Sequence, residues 1–460
     1  MITITDLAEK LKEALEKGRS GQFVRENPYE RLGLKDNPFH PKFRPNNEDV
    51  FIIREDVLVN LAMQIGNAIR LYEENDTTPF RHLLTHGLFG CGKTSTALHF
   101  TEDWAEFGFQ DYETLYTNLS EWQPPNEYYE DYGASSQVLL TYERFLDKIR
   151  QVSKPLILFI DDLDYTVTGN PAIPRIPEFI LDIEKRAPHG VIIIGLINSL
   201  TISILSDADQ IISQANTLSE MAEAEDFAKK SRSFFSNFNP DRFFFPIFSK
   251  SEINNLIDKR LRVVRKSSDL FSVKSIDKIA KYSMGLPINA LDIASACLTE
   301  LVAKELDKAT ASIVTKVADQ LGYSTGIKLV DSINHDEVDE KKALSPQRRK
   351  IVSYILESQY RDRFFYPKKH LTGLRSSDLA KFIDVNLSTM NYHIKFLTET
   401  PNRILESKTD VHDARSKIFY VDWESPIASA VEILTVYHKL QPGKYNVTSQ
   451  AILLPRRETE

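Results

Sequence analysis

The segment at residues 87–94 (GLFGCGKT) constrains the fold of this chain more than any other feature of its sequence. Its glycines keep side chains away from the backbone N–H groups, so that the loop can wrap the oxygens of a phosphate group. The closing Lys-Thr pair completes the pattern of a phosphate-binding loop. Residues 80–86 predict a strand before the loop, and residues 94–100 predict a helix whose positive end points at the phosphates. This strand–loop–helix context is typical of an α/β fold.

The loop also predicts how a nucleoside triphosphate would be held. Lys93 would reach the β- and γ-phosphates, and Thr94 would hold Mg²⁺. The residues of this segment that we expect to contact ATP are Gly87, Gly90, Cys91, Gly92, Lys93, Thr94 and Ser95.

A strand that ends in two carboxylates supplies the second part of the predicted site. Residues 155–160 (PLILFI) form an apolar run of strand length, as expected for a parallel strand buried on both faces. Asp161 follows it and would order the Mg²⁺ through water, while Asp162 stands where a general base would orient an attacking water. Another apolar run, residues 191–197, ends at Asn198, whose amide would position that water or the γ-phosphate. The predicted catalytic residues are Lys93, Asp162 and Asn198.

Strands and helices alternate along this part of the chain. Residues 114–118 predict a strand and residues 136–150 a helix, between the phosphate loop and the carboxylates. The resulting order predicts a doubly wound α/β core.

Together these motifs resemble those of AAA+ ATPases, and three further segments resemble the origin-recognition and archaeal replication-initiator branch of that family. Residues 51–58 (FIIREDVL) are similar to an Arg-Glu motif that lines the adenine pocket, which implies that Arg54 and Glu55 contact the nucleotide. Residues 244–249 (FFPIFS) are similar to the segment that leads into the helical lid. Residues 285–291 (GLPINAL) are similar to the sensor-2 segment.

The resemblance covers roughly residues 50–425 and implies an ATPase that uses ATP and Mg²⁺. It also implies a homo-oligomer, or a hetero-oligomer with other AAA+ subunits, in which a neighbouring subunit donates an arginine; Arg232 and Arg242 are the nearest candidates. Two departures from the pattern predict slow hydrolysis. Ile288 replaces the usual sensor-2 arginine, which removes a γ-phosphate contact, and Asp162 is one methylene shorter than the glutamate that is common there.

At 460 residues the chain is too long for one ordinary core. We expect an α/β P-loop core of AAA+ type with an α-helical lid and a C-terminal winged-helix domain. The predicted segments are an N-terminal helix and linker (1–47), the nucleotide-binding core (48–245), the lid (246–334), a charged hinge (335–343), the winged helix (344–425) and a C-terminal helix and tail (426–460).

The sequence contains no pattern that predicts a membrane span, a secretory leader, a disulfide framework or a histidine metal site. No apolar run approaches the ~20 residues of a membrane span, and the amino terminus lacks a secretory layout, so we expect a cytoplasmic protein without membrane contact. The two cysteines cannot build a disulfide framework, and the ten histidines show no paired ligand spacing. We therefore expect no metal other than the Mg²⁺ that accompanies ATP.

The winged-helix prediction depends on two short helices and a hairpin. Residues 376–383 and 387–397 have helix-turn-helix spacing, and residues 403–408 and 417–421 alternate like hairpin strands. The second of the two helices would enter a groove of duplex DNA, and the hairpin would touch backbone phosphates. The predicted DNA contacts are Ser388, Thr389, Asn391, Tyr392, Lys395, Arg415 and Lys417.

The charge distribution supports DNA as a partner only for this domain. The whole chain has 57 basic and 65 acidic residues, a net charge of −8, which argues against a general nucleic-acid binder. Residues 344–423 contain 14 Lys and Arg and 9 Asp and Glu, a net of +5, which leaves −13 for the remainder. A domain of +5 neutralises few phosphates, so one copy should bind weakly and in a salt-sensitive way.

Three functions remain open from the sequence. The first is an ATP-switched DNA-binding ATPase of initiator type, an oligomeric clamp or loader in DNA replication. The second is a transposition target-selection or mobile-element AAA+ ATPase, because residues 285–287 (GLP) and 32–39 (LGLKDNPF) resemble some of these. The third is an ATP-binding signalling or defence scaffold whose winged helix binds protein.

Overall fold

The computed structural model describes the greater part of the chain, from residue 28 to residue 452. The described residues are 28–40, 50–74, 81–107, 110–121, 135–166, 176–207, 218–264, 269–331, 345–365, 373–399, 403–410, 413, 415–422, 425–440, 447–448 and 451–452. The predicted N-terminal helix and the predicted charged hinge lie outside them.

A parallel sheet forms the centre of the N-terminal half. Its strands are β1 (Leu83–Gly87), β2 (Glu113–Asn118), β3 (Leu156–Asp161), β4 (Val191–Asn198) and β5 (Phe243–Phe245), in the spatial order β2-β3-β4-β1-β5. Strand β3 is buried along its whole length and β4 is buried as far as Ile197, which explains why their sequences are apolar runs rather than alternating patterns. The sheet and the helices around it confirm the predicted α/β core.

The register of the sheet brings the carboxyl ends of the strands to one edge. Gly87 at the end of β1 pairs with Asn198 at the end of β4, and Asn118 at the end of β2 pairs with Asp161 at the end of β3. In an open α/β sheet, ligands bind at this edge.

Six helices in the described part of the chain accompany the sheet. They are α1 (Glu55–Glu73), α2 (Lys93–Glu102), α3 (Ser135–Arg150), α4 (Glu178–Arg186), α5 (Ser199–Ser206) and α6 (Leu218–Phe235). Helices α5 and α6 lie in a part of the chain where the sequence predicts no particular element. Ser231 Oγ of α6 donates to the carbonyl of Leu205 in α5 at 2.5 Å, and Phe227 and Phe234 of α6 are buried.

The helical region after the sheet contains α7 (Lys250–Val264), α8 (Val273–Tyr282), α9 (Pro287–Ala303), α10 (Ala311–Leu321) and α11 (Tyr323–Asp331). Helix α7 starts with a reciprocal cap, since Ser249 N donates to Glu252 Oε2 at 2.6 Å and Glu252 N donates to Ser249 Oγ at 3.3 Å. Residues 28–40 pack on this region, where the ring of Phe39 lies edge-on to Phe271 at 5.8 Å.

The C-terminal part contains the predicted helix-turn-helix and hairpin. Its elements are α12 (Pro346–Phe365), β6 (Leu374–Arg375), α13 (Ser376–Ile383), α14 (Leu387–Thr398), β7 (Glu406–Thr409), β8 (Lys417–Tyr420) and α15 (Pro426–Leu440), followed by β9 (Val447–Thr448) and β10 (Ala451–Ile452). The turn before α14 is fixed by Asn386, whose side chain accepts from Thr389 N. Strands β6, β8 and β7 form an antiparallel sheet in that order.

Helix α15 connects the three parts of the molecule. It packs against α11 of the helical region, α12 of the C-terminal part and α5 beside the sheet. Its apolar side chains Val431, Ile433 and Leu434 are buried in the common core. Within the described residues, none of the helices has both the length and the apolar character to cross a membrane.

Candidate functional site

The phosphate loop joins β1 to α2, and two of its glycines adopt backbone conformations that other residues disfavour. Gly90 has φ +74°, and Gly92, the N-cap of α2, has φ +96°. A Cβ atom at residue 90 would lie 2.2 Å from Cγ2 of Ile288, which packs on the loop from the start of α9. Glycine is therefore required at residue 90 both by its φ and by the space around it. The first N–H groups of a helix such as α2 have no acceptor within the helix, so they can donate hydrogen bonds to an anion such as phosphate.

The side chain of Lys93 folds against the beginning of the loop. Its Nζ donates to the carbonyl oxygens of Gly87 at 2.9 Å and Leu88 at 3.0 Å. The ammonium charge is thereby held at the loop. Cys91 is buried, and burial raises the pKa of its thiol, so the thiol stays neutral and fills space in the turn.

Thr94 and Asp161 meet as the parallel arrangement of the strands requires. Thr94 Oγ1 donates to Asp161 Oδ2 at 2.5 Å, and the hydroxyl of Tyr116 in β2 donates to the same oxygen at 3.0 Å. The other carboxylate oxygen, Oδ1, accepts from Asp162 N at 2.9 Å. Asp161 is only 2% exposed, so a buried carboxylate stands beside the first turn of α2.

Asp162 lies beside this carboxylate in a strained backbone conformation, with φ +52°. Burial raises the pKa of Asp162, and the negative charge of Asp161 raises it further, while hydrogen bonds from Ser120 and Asn118 act in the opposite direction. A carboxylate with a raised pKa is a stronger proton acceptor, which is the property that a general base needs.

Asn198 lies at the end of β4, and both the oxygen and the nitrogen of its side-chain amide form hydrogen bonds. Its Oδ1 accepts from Leu200 N at 2.6 Å, which caps α5, and its Nδ2 donates to Glu432 Oε1 at 3.0 Å. The same carboxylate oxygen accepts from the N–H of Phe89 in the phosphate loop at 3.2 Å. The sequence analysis missed Glu432, a lone acid in the apolar helix α15.

Asp164 forms a second contact between the core and the C-terminal part. It is buried three residues after the end of β3, where it accepts from the hydroxyls of Thr201 and Tyr360, the latter at 3.3 Å. Tyr360 belongs to α12. Burial raises the pKa of Asp164 to about 6, against the effect of the hydrogen bond from Thr201.

A cavity of about 140 Å³ adjoins the phosphate loop on the side of α1 and α9. Apolar side chains form most of its walls, together with residues of the first turn of α2. Its lining consists of Val50, Phe51, Ile52, Arg54, Val57, Leu58, Gly92, Ser95, Thr96, Phe248, Leu256, Arg260, Pro287 and Leu291. An apolar cleft with a few polar groups is the usual form of a small-molecule site.

Arg54 is a structural part of this cavity. Its Nε donates to Glu252 Oε1 at 3.0 Å, and its guanidinium lies 4.3 Å from the centroid of the Phe248 ring. Arg54 thus ties the start of α1 to α7. The next residue, Glu55, is exposed and is not among the lining residues.

Five of the predicted DNA contacts lie on α14 and two lie at the hairpin of β7 and β8. Ser388, Asn391, Tyr392 and Lys395 are exposed and Thr389 is half-buried, while Arg415 and Lys417 are exposed at the hairpin. Tyr392 is 64% exposed. The guanidinium of buried Arg348 in α12 lies 3.5 Å from the centroid of the Phe396 ring and so packs against the inner face of α14.

The two arginines proposed for a neighbouring subunit differ in their surroundings. Arg232 is exposed in the last turn of α6. The guanidinium of Arg242 lies 3.9 Å from the centroid of the Phe235 ring of the same chain.

No protein-family model and no curated protein matches the chain. Among solved structures, the chain is similar to the Aeropyrum pernix ORC1 protein in complex with DNA, with 14% identity, coverage of 90% of this chain and 97% of that chain, and a TM-score of 0.43. It is similar to Drosophila ORC bound to DNA, with 13% identity, coverage of 92% and 99%, and a TM-score of 0.39. It is also similar to the Thermotoga maritima RuvB Holliday junction branch migration motor, with 15% identity, coverage of 83% and 96%, and a TM-score of 0.35. Origin-recognition proteins, which the sequence motifs resemble, are thus among the matches, but identities and TM-scores this low carry no weight for function.

Proposed function

We propose that this chain is an ATP-switched DNA-binding AAA+ ATPase of initiator type that acts as an oligomeric clamp or loader on duplex DNA. The observation that carries the proposal is the convergence of Lys93, Thr94, Asp161 and Asn198 at one edge of the parallel sheet, around a glycine loop that opens a helix. These groups come from three separate segments of the chain, and the parallel register of the strands brings them to the same edge. Each has a function in holding a triphosphate.

The donor set at the end of β3 suits Mg²⁺ bound together with phosphate. The Thr94 hydroxyl and the buried Asp161 carboxylate are hard oxygen ligands, which Mg²⁺ prefers. Among the residues that the structure describes, no group of three or more His, Cys, Asp or Glu side chains could hold a metal ion. Thr94 and Asp161 would therefore hold Mg²⁺ jointly with phosphate oxygens, whose negative charge the ion would neutralise.

The base and ribose of ATP would occupy the cavity beside the loop. Gly92 of the loop and Ser95 of α2 line this cavity on one side, and Phe248 and Pro287 line it from the helical region. Because these two sides belong to different parts of the chain, nucleotide binding would bias how the helical region sits on the core.

Hydrolysis by one subunit should be slow. Ile288, at the sensor-2 position, contributes an apolar side chain to the loop where a cation would stabilise the γ-phosphate. Asp162 has the raised pKa of a base, and a neighbouring subunit would supply the missing cation. An oligomer would also place several C-terminal domains on one duplex, which compensates for the small charge of each.

Duplex DNA would be bound by α14 and the hairpin. The exposed side chains of α14 combine an amide, hydroxyls and a lysine, which are groups that contact base edges and phosphates. Asn391 has the amide needed to pair with adenine, whereas Lys395 and Arg415 suit phosphates.

The test of the nucleotide assignment is the Lys93→Ala protein. We expect ATP affinity to fall by about a hundredfold, because a charged hydrogen-bond donor to the phosphates is lost. Lys154→Ala is the matched control, since Lys154 is an exposed lysine whose Nζ donates to the carbonyl of Gln110. Unchanged ATP affinity in a folded Lys93→Ala protein would refute the assignment.

A protein partner for the C-terminal domain is the second candidate function. Leu387 is 50% and Tyr392 64% exposed on α14, which gives the face an apolar component that a protein can cover. A gel-shift titration of the full chain with duplex DNA, at two salt concentrations and with and without ATP, separates the two. Absence of binding at low salt with ATP would favour the protein partner.

A further inference from the structure

Glu432 is a buried carboxylate that reaches the phosphate loop from the C-terminal helix α15. It is 7% exposed, and its Oε1 accepts from the N–H of Phe89 and from the amide of Asn198 at 3.2 and 3.0 Å. Phe89 belongs to the glycine loop, and Asn198 ends the strand beside it. Both donors are therefore parts of the proposed triphosphate site.

Packing alone does not account for a carboxylate here. Val431, Ile433 and Leu434 around it are buried and apolar, and an apolar residue at position 432 would avoid the cost of burying a charge. Burial raises the pKa of Glu432, whereas the bonds from Asn198 and Phe89 and the charge of Lys93 act in the opposite direction. A backbone N–H of the loop, an amide and a lysine are the same groups that stabilise a terminal phosphate.

We propose that Glu432 competes with the γ-phosphate and thereby makes the site distinguish ATP from ADP. This inference rests on the proposed function, because it assigns Glu432 a role in the same nucleotide site. ADP has no group for the position between Phe89 and Asn198, so it binds with Glu432 in place. The γ-phosphate of ATP needs the same donors and repels the carboxylate, so Glu432 must withdraw when ATP binds.

Withdrawal of Glu432 would be transmitted to the C-terminal domain. Helix α15 packs against α12, the first helix of that domain, and against α11 of the helical region. The domain holds the core at a second point, where the Tyr360 hydroxyl lies 3.3 Å from Asp164 Oδ1 and 2.8 Å from Thr201 Oγ1. Loss of the Glu432 contact frees α15 from the loop while this second point stays in place, so ATP and ADP favour different positions of the domain.

The experiment measures ATP and ADP dissociation constants for the full chain and for variants at position 432. In Glu432→Ala the competing carboxylate is gone, so we expect ATP to bind about tenfold more tightly and ADP to change by less than about twofold. Glu432→Gln keeps the size and an acceptor oxygen but not the charge, and we expect a smaller shift in the same direction. Glu432→Gln also keeps the test valid if the cavity left by alanine prevents folding.

Thr435→Ala is the matched control on the same helix. Thr435 is buried one turn further, and its hydroxyl donates to Val431 O within α15 at 2.8 Å, so the variant disturbs the helix without touching the loop. The inference is overturned if both Glu432 variants keep the wild-type ratio of ATP to ADP affinity, or if Thr435→Ala changes that ratio equally.

Lys93→Ala separates this inference from the proposed function. If wild-type protein binds both nucleotides and Lys93→Ala binds neither, the nucleotide site stands, whatever the Glu432 variants do. If neither wild type nor any variant binds nucleotide, both proposals are wrong. If wild type binds only ADP and Glu432→Ala binds ATP as well, the competition is supported in its strongest form.

Discussion

Asp164 is a buried acid whose titration should be visible in the stability of the whole protein. Its pKa rises from an ordinary 3.8 to about 6, chiefly because burial disfavours the charged carboxylate. At ~1.4 kcal/mol for each pKa unit, ionised Asp164 costs the folded state about 3 kcal/mol at pH 7. The folded protein therefore binds this proton more tightly than the unfolded chain, so its contribution to stability falls as the pH rises from about 4 through 6.

The perturbation that isolates this effect is Asp164→Asn. Asparagine keeps the size of the side chain and an acceptor oxygen for the hydroxyls of Thr201 and Tyr360, but it does not titrate. Other titrating groups are common to both proteins and cancel in the difference. Between pH 7 and pH 5, protonation of Asp164 relieves about 1.3 kcal/mol of the cost, so the stability of wild type relative to Asp164→Asn should rise by that amount.

The assay is urea unfolding of both proteins at pH 5, 6 and 7. The difference between their free energies of unfolding is compared across the three pH values. The slopes of unfolding free energy against urea concentration must be equal for the two proteins, so that the difference reflects stability alone. A difference that stays constant within about 0.3 kcal/mol between pH 7 and pH 5 would show that the folded-state pKa of Asp164 is not raised.

Two further predictions concern the proposed nucleotide site, and a third concerns the proposed DNA interface. Thr94→Ala should lower ATP affinity in the presence of Mg²⁺ by about tenfold and have little effect without it, because it removes an oxygen ligand; titrations with and without Mg²⁺ measure this. Ile288→Arg should raise the ATPase rate by tenfold or more, because it places a cation beside the loop, as steady-state kinetics would reveal. Lys395→Ala should weaken binding to all DNA sequences, and it should lower by about one the slope of the logarithm of the binding constant against the logarithm of the salt concentration. Lys381→Ala, at an exposed lysine of α13, is the control and should leave both the affinity and this slope unchanged.

Each of these predictions has an outcome that contradicts it. Equal losses of ATP affinity with and without Mg²⁺ in Thr94→Ala would argue against a metal ligand. An unchanged rate in a folded Ile288→Arg protein that still binds ATP would show that the missing cation does not limit hydrolysis. Sequence-dependent loss of DNA binding in Lys395→Ala would assign this lysine to a base rather than to a phosphate.

Much of the proposed nucleotide site follows from local patterns in the sequence. Glycines at residues 90 and 92 have the positive φ angles that the loop pattern implies, and α2 starts at Lys93 as a phosphate loop requires. The contact between Thr94 and Asp161 was also predictable, since the carboxyl ends of neighbouring parallel strands lie at one edge of the sheet.

The Glu432 contact could not be predicted in this way. Phe89 and Glu432 are 343 residues apart, and the sequence around Glu432 is that of an ordinary buried helix. The contact between Tyr360 and Asp164 spans 196 residues and has no motif on either side. Helices α5 and α6 were not predicted either. Helix α5 is a short apolar segment directly after β4, and α6 has a polar sequence with only a few buried aromatic side chains.

Local sequence specifies the elements whose cause is short-range: the glycine loop, the strands β3 and β4 with their continuous apolar runs, and the turn before α14, which Asn386 caps. Which surfaces of these elements meet depends on the tertiary structure. It brought α15 between α5, α11 and α12, and so carried a carboxylate to the phosphate loop. Such contacts depend on packing among elements far apart in the chain, and a periodic apolar pattern specifies that a face is buried without specifying against what.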